Sequence, residues 1–337
     1  MTPLPLLDVG ADANQGVKIR KLVLAGAAAA ALSYGGTKAM IWRWRKNLNP
    51  LAGEPLTFPV GTAATVKTDD GARLAIRRSG SGPTVVLVHG LTGNRDDWGP
   101  VARRLITDGF EVVAIELRGH GDSSPGRDGY GPRRLAGDLA QALSALDLSD
   151  VILVGHSMGG IASMTLMLEH PELAAERVRK LAVVASTATL QQPQTRYGLQ
   201  FLSVELLDRF TRFDERLRLG TGLVAFGRHP NLELVDYLIE STARCPHDVR
   251  REATAALVDY EISDQLHRIG HDTLVIGGTN DWLTPLRYSR QIANGIPRAR
   301  LQIINGGGHM IMFEAADRIG FLLAEFARLS VRAATRR

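Results

Sequence analysis

Ser157 stands between two glycines in Gly155-His156-Ser157-Met158-Gly159, directly after the apolar run Val151-Ile152-Leu153-Val154. Two more polar side chains, Asp281 and His309, follow the apolar runs Thr273–Gly277 and Arg300–Ile304. A serine hydroxyl is a weak nucleophile until a base takes its proton, and a histidine base needs a carboxylate to hold its tautomer. In the chain order Ser…Asp…His, these residue types predict attack on a carbonyl. Ser157 is then the nucleophile, His309 the base and Asp281 the acid that orients it. The G-x-S-x-G pattern suits a strained strand-to-helix turn that leaves the hydroxyl exposed. The pattern alone is weak, because a chain this rich in glycine yields one by chance roughly 0.2 times at ordinary serine usage. The case depends on the elements that carry the other two residues.

Those elements read as alternating strands and helices. Asp69-Asp70-Gly71 separates Ala64–Thr68 from Arg73–Arg77, which is hairpin chemistry and predicts an antiparallel pair. Continuous apolar runs follow at Thr84–Val88, Glu111–Ile115, Val151–Val154, Leu181–Ala185, Thr273–Gly277 and Arg300–Ile304. Runs of this kind belong to strands buried on both faces. Helical patterns lie between them, near Trp98–Thr107, Arg133–Leu146, Met158–Glu169, Pro285–Asn294 and Phe313–Leu329. The expected fold class is α/β, a doubly wound and mostly parallel sheet. Ligands of such sheets bind beyond the carboxyl ends of the strands, and His89, Arg118 and Ser157 each sit just past such an end. The rhythm lapses over residues 188–261, where Phe201–Leu207 and Leu223–Phe226 are helical and apolar in character. This stretch is expected to be a helical cap, set into a core formed by residues 51–187 and 262–331.

Each residue also has a plainer reading. Ser157 could be a helix cap, His309 a packing histidine, and Asp281 the cap of the helix after it. Asp264 and Asp272 compete for the acid's place, but Asp272 precedes its strand and Asp264 lies at the end of the cap stretch. His89, His120 and His156 are expected to shape loops or fill the core. The nine histidines show no metal-ligand spacing. There is no H-E-x-x-H, C-x-x-C, G-x-G-x-x-G or P-loop sequence, so no metal, dinucleotide or ATP is implied. The cofactor expectation is none.

Taken with His89-Gly90 after the third strand, the Arg118-Gly119-His120-Gly121-Asp122-Ser123 loop after the fourth and the glycines at Ser157, the chain resembles the α/β-hydrolase superfamily from about Leu56 to Leu329. It departs at Glu116, where such chains commonly carry aspartate, a difference expected to matter little. The resemblance implies an acyl-enzyme mechanism on a small-molecule ester, possessing an oxyanion hole of two backbone N–H groups, those of Leu91 and Met158. Carboxylic-ester hydrolysis leads, and the apolar cap and the possible anchor lean towards lipid or monoacylglycerol-type esters. Thioester hydrolysis, acyl transfer, C–C hydrolysis and cofactor-free perhydrolysis are alternatives on the same site, and a non-catalytic ligand-binding member is a third class.

Charge narrows the partners. The net charge of +5 belongs to residues 1–50, which carry seven basic and two acidic side chains, while the remaining residues balance at 33 of each. A neutral large domain does not suit nucleic acid. The single cysteine, Cys245, excludes an intrachain disulfide. Within the basic segment, residues 22–42 are largely apolar and about long enough to span a bilayer, with Trp42 and Trp44 suited to its interface. A membrane anchor, a cleaved signal and an alanine-rich soluble helix are all open readings of that stretch. Cell-envelope location follows from the first and a cytoplasmic one from the last.

Overall fold

The computed structural model describes residues 34–191 and 215–329. Strands β1 (Thr62–Lys67) and β2 (Arg73–Gly80) form the expected hairpin. They are followed by β3 (Thr84–Val88), β4 (Glu111–Ile115), β5 (Val151–His156), β6 (Val178–Val184), β7 (Asp272–Gly278) and β8 (Ala299–Ile304). The eight strands make one sheet in the order β1-β2-β4-β3-β5-β6-β7-β8. Every pairing from β4 to β8 is parallel, and β2 runs against both its neighbours.

Alternation along each strand divides the core in two. On β3, Val86 and Val88 join an apolar cluster on one face, and Val85 and Leu87 join the cluster on the other. All four are fully buried. Burying such a side chain contributes about 1.5–3 kcal/mol, so a one-residue slip of a central strand would move apolar side chains to the wrong faces. In chain order the helices are α1 (Tyr34–Trp44), α2 (Gly99–Thr107), α3 (Pro132–Ala145), α4 (Met158–Glu169), α5 (Pro171–Arg177), α6 (Glu215–Ala225), α7 (Leu232–Arg244), α8 (His247–Leu257), α9 (Leu286–Gly295), α10 (Ile311–Glu314) and α11 (Ala316–Arg328). Helices α3 and α4 pack together on one face of the sheet, and α2 packs with α11 on the other.

The structure adds one short helix: Pro171 opens α5, where its missing N–H costs nothing. Other readings change. The expected last helix is broken at Ala315 into α10 and α11. Leu223–Phe226 is helical only to Ala225, and Phe201–Leu207 lies outside the described residues. Of the N-terminal stretch 22–42, residues 22–33 are also outside the described residues, and the helix Tyr34–Trp44 lies on α6. Trp44 is buried with Ile41, Leu219 and Leu232 rather than placed at an interface, though Trp42 is exposed. Among the described residues no helix is long and apolar enough to cross a membrane. The segment after α1 is tied down as well: Asn47 Nδ2 donates to Pro230 O at 2.6 Å and Asn231 Nδ2 to Asn47 O at 2.9 Å.

Candidate active site

The strand order sets the position of the site. From β3 the chain passes to β4 on one side and then returns to β5 on the other, so the loops after β3 and β5 meet where the winding reverses. Val88 pairs with Gly155, which brings Gly90 against Ser157: a β-carbon on Gly90 would stand 3.0 Å from Ser157 Cβ.

Ser157 lies between β5 and α4 with φ 50° and ψ −117°, a conformation that L-residues other than glycine rarely adopt. The surroundings over-determine it. Its N–H donates to Val184 O at 3.0 Å, and its carbonyl accepts from Ser186 Oγ at 2.7 Å. A β-carbon on Gly155 would come within 2.3 Å of Gly159 O, so the turn is too tight for a side chain there. Met158 opens α4, and N–H groups in a first helical turn have no partner within the helix. Leu91 lies in the Gly90–Gly93 turn, closed by Gly93 N–H to Gly90 O at 3.2 Å. Both residues line the same cavity as Ser157.

Asp281 and His309 come together from the ends of β7 and β8. Asp281 Oδ2 accepts from His309 Nδ1 at 2.9 Å, and both residues are buried. The other carboxylate oxygen accepts the N–H groups of Leu283 at 2.9 Å and Thr284 at 2.7 Å. Desolvation raises the Asp281 pKa, but the His309 ring and the bonds from Thr284 outweigh it and leave the acid below its ordinary value. An acid held ionised in this way fixes His309 with Nδ1 protonated, leaving Nε2 free to accept. The neighbouring helix starts after Pro285, so Asp281 forms a turn with Leu283 and Thr284 and does not cap that helix. Asp272 is engaged with Arg298 at 2.7 Å, at the opposite end of β7.

Strand β8 lies three places from β5, roughly 14 Å at ordinary strand spacing, so a loop must carry His309 back. It does: the His309 carbonyl accepts from His156 Nε2 at 3.1 Å, and the two rings lie 4.8 Å apart. Ser157, Leu91, Met158, Thr284 and His309 then share one cavity of about 420 Å³, whose wall is largely apolar.

Several residues play parts that residue type alone did not reveal. Thr284 Oγ1 donates to Asp281 Oδ2 at 2.7 Å and lies 3.2 Å from His309 Nδ1, bracing the pair. Its spacing in Asp281-x-x-Thr284, just before Pro285, is the turn signal that could have found it. Glu314 is half-buried, with one oxygen on the Gly227 N–H at 2.7 Å and the other on the Gly308 N–H at 2.8 Å. It therefore joins the His309 loop to the insertion. The glycines before His309 serve close packing as much as freedom of path: a β-carbon on Gly308 would stand 2.3 Å from the Phe226 backbone.

Burial pushes the Glu314 carboxyl up to about 7, although the two N–H groups favour its charged form. The folded chain thus holds this proton more tightly than the unfolded one. Its contribution to stability is lost as pH rises from the unfolded value near 4.5 to about 7. Against Glu314→Gln, which does not titrate, the melting temperature of the natural chain should fall across that window. Scanning calorimetry at intervals from pH 4 to 8 would read it, and parallel curves would refute the assignment. The amide also presents N–H to one of the two donors, so kcat should drop roughly tenfold, as positioning losses do.

The histidines expected to be structural are engaged accordingly. His89 Nδ1 donates to Gly90 O at 2.7 Å and Nε2 accepts the Leu117 N–H at 3.0 Å, leaving neither nitrogen for a proton from substrate. Burial lowers its pKa to about 3, and that of His120 to about 4. Arg118, placed just past β4, is not in the cavity. It is fully buried, with Asp70 and Asp138 on either side of its guanidinium at 2.6–2.9 Å. Glu116 is more than a neutral departure: buried, it accepts the N–H groups of Arg95 at 3.2 Å and Asp122 at 2.7 Å.

Comparisons with known proteins agree with this architecture. Residues 83–316 match the family described as the alpha/beta hydrolase fold. RutD of a Caulobacter species, given as a candidate carbamate hydrolase, is 30% identical over 260 residues, covering 72% of this chain and 90% of that one. A non-heme haloperoxidase from Rhodococcus erythropolis is 28% identical over 272 residues, covering 77% and 98%. Among solved structures, an esterase from Exiguobacterium antarcticum superposes with a TM-score of 0.71 at 23% identity, covering 80% of this chain and all of that one. The sheet order, the turn at Ser157 and a family match over more than half the residues have one reading: the chain belongs to the α/β-hydrolase fold family.

Proposed function

We propose that the chain is a serine hydrolase of carboxylic esters, with Ser157, His309 and Asp281 as its catalytic residues. The observation that carries this reading is the buried Asp281–His309 hydrogen bond opening onto the same cavity as the strained Ser157 turn. His309 Nε2 takes the Ser157 proton as Oγ attacks the ester carbonyl. The negative oxygen is held by the N–H groups of Leu91 and Met158, which the N-terminal end of α4 reinforces. Collapse breaks the bond to the alcohol, which leaves with the proton from His309 and a serine ester remains. Water, deprotonated by the same ring, releases the acid and restores Ser157.

The apolar wall favours an acyl chain over a charged one. The helical insertion forms much of that wall through Leu217, Val224 and Ile239, so we assign residues 188–261 the role of a substrate-selecting cap. The haloperoxidase relative favours one second reading, in which hydrogen peroxide replaces water as acyl acceptor. A rate profile across p-nitrophenyl esters from acetate to palmitate tests the main reading, with lipid vesicles and with peroxide in parallel arms. We expect rates to rise from acetate, pass a maximum and fall once the chain outgrows the cavity. No release at any length would end the ester reading, and peracid formed faster than acid would select the second.

A further inference from the structure

Helix α6 forms part of the cavity wall and has the N-terminal helix behind it. Leu217, Thr221, Val224 and Ala225 line the cavity, and their spacing gathers them on one face of α6. At about 100° per residue, Leu219 and Gly222 fall on the opposite face. That face meets α1. Leu219 is buried with Ile41, Trp44 and Leu232. A β-carbon on Gly222 would stand 2.2 Å from the Trp44 ring, so the indole occupies the place of a missing side chain.

The second wall helix is held from the same segment. Asn231 caps α7 and donates to Asn47 O at 2.9 Å, while Asn49 Nδ2 donates to Glu233 Oε2 at 2.6 Å. Helix α7 supplies Leu238 and Ile239 to the cavity, and Arg218 ties it to α6 through Asp236 at 2.6 Å. The family match begins at residue 83, so this clamp lies outside the matched region. Packed interiors leave little slack, so what stands behind α6 fixes how far it reaches into the cavity. We propose that Trp44 determines specificity: by backing α6 it sets the length of alkyl chain that the cavity admits. The choice of alkyl chains rests on the acyl preference proposed above; the link from Trp44 to cavity depth is read by binding alone.

Two substitutions move α6 in opposite directions. Trp44→Ala leaves a void into which the helix relaxes, deepening the cavity. Gly222→Ala sets a methyl against the indole and drives the helix towards the cavity. Calorimetric titration with 1-alkanols from hexanol to tetradecanol reads the depth without turnover. In the natural chain affinity should rise about fourfold per methylene and level off where the cavity ends. Trp44→Ala should carry that point about two carbons further, and Gly222→Ala should bring it back by about as much. The two together should return it near the natural length, because the methyl takes up part of the space left by the indole. A Trp44 that only stabilised the fold would lower affinity alike at every length. Levelling at one length in all variants, shifts of the same sign in both single variants, or alkanols that do not bind would overturn the proposal. Should Trp44→Ala fail to fold, Gly222→Ala and the milder Trp44→Phe decide in its place. The kcat/KM optimum across p-nitrophenyl esters should move by the same steps. If no ester is cleaved while the alkanol limit moves, the hydrolase reading has failed and the role of Trp44 stands.

Discussion

Ser157→Ala should reduce ester turnover by about 10⁴-fold or more, because removing the nucleophile of a triad leaves only the oxyanion donors and binding. Labelling by a fluorophosphonate should vanish with it. The fold should not suffer. The strain at Ser157 comes from φ 50° and ψ −117°, which any β-carbon must bear, so alanine keeps it and glycine releases it. Ser157→Gly should therefore be more stable than the natural chain by about 1 kcal/mol while equally inactive. That pairing is the mark of a position held in a costly conformation for its hydroxyl. Turnover retained in Ser157→Ala would point to another nucleophile, and a Gly variant less stable than the Ala variant would deny the strain.

Arg118→Met should be the most damaging single change to the fold. The guanidinium has no solvent exposure and sits between the buried carboxylates of Asp70 and Asp138. Removing it leaves Asp138 with Arg134 alone and Asp70 with only Thr68 and the Asp128 N–H, and breaking such a buried pair costs about 3–5 kcal/mol. The Arg118 hydrogen bonds hold Asp70 far below the usual carboxylate range, so the bond's stabilisation is present above the unfolded pKa and is lost only as pH falls through the much lower folded value. The natural chain should thus keep this contribution well into acid, and the variant should lack it throughout. Urea unfolding at pH 7 and pH 4 measures both. A loss under about 1 kcal/mol would mean that the buried pair is worth no more than an exposed one.

The elements that carry the site were readable because their strands are buried on both faces. An apolar run such as Val85–Val88 has few alternatives, and the polar residue just beyond it falls at the end of the sheet where ligands bind. Ser157, Asp281 and His309 were visible for that reason, and so was the hairpin turn at Asp69-Asp70-Gly71. Spacing along the chain could not tell which polar residues face the cavity. Arg118 follows its strand much as Ser157 does, yet it turns away to Asp70, 48 residues back, and to Asp138, 20 residues on. Glu116 looked like a neutral exchange because its value lies in loops that fold onto it. Trp44 read as an interface aromatic because nothing local marks Gly222, whose missing side chain leaves room for the indole.

Residue types and order thus determined the sheet, the family and the three residues proposed for chemistry. Tertiary structure alone decided how His309 returns across the sheet and which carboxylate braces it. The physical reason is that a strand buried on both faces shows as a continuous apolar run, a local property of sequence. The partner of a buried charge is set by segments far apart in the chain, which only packing brings together.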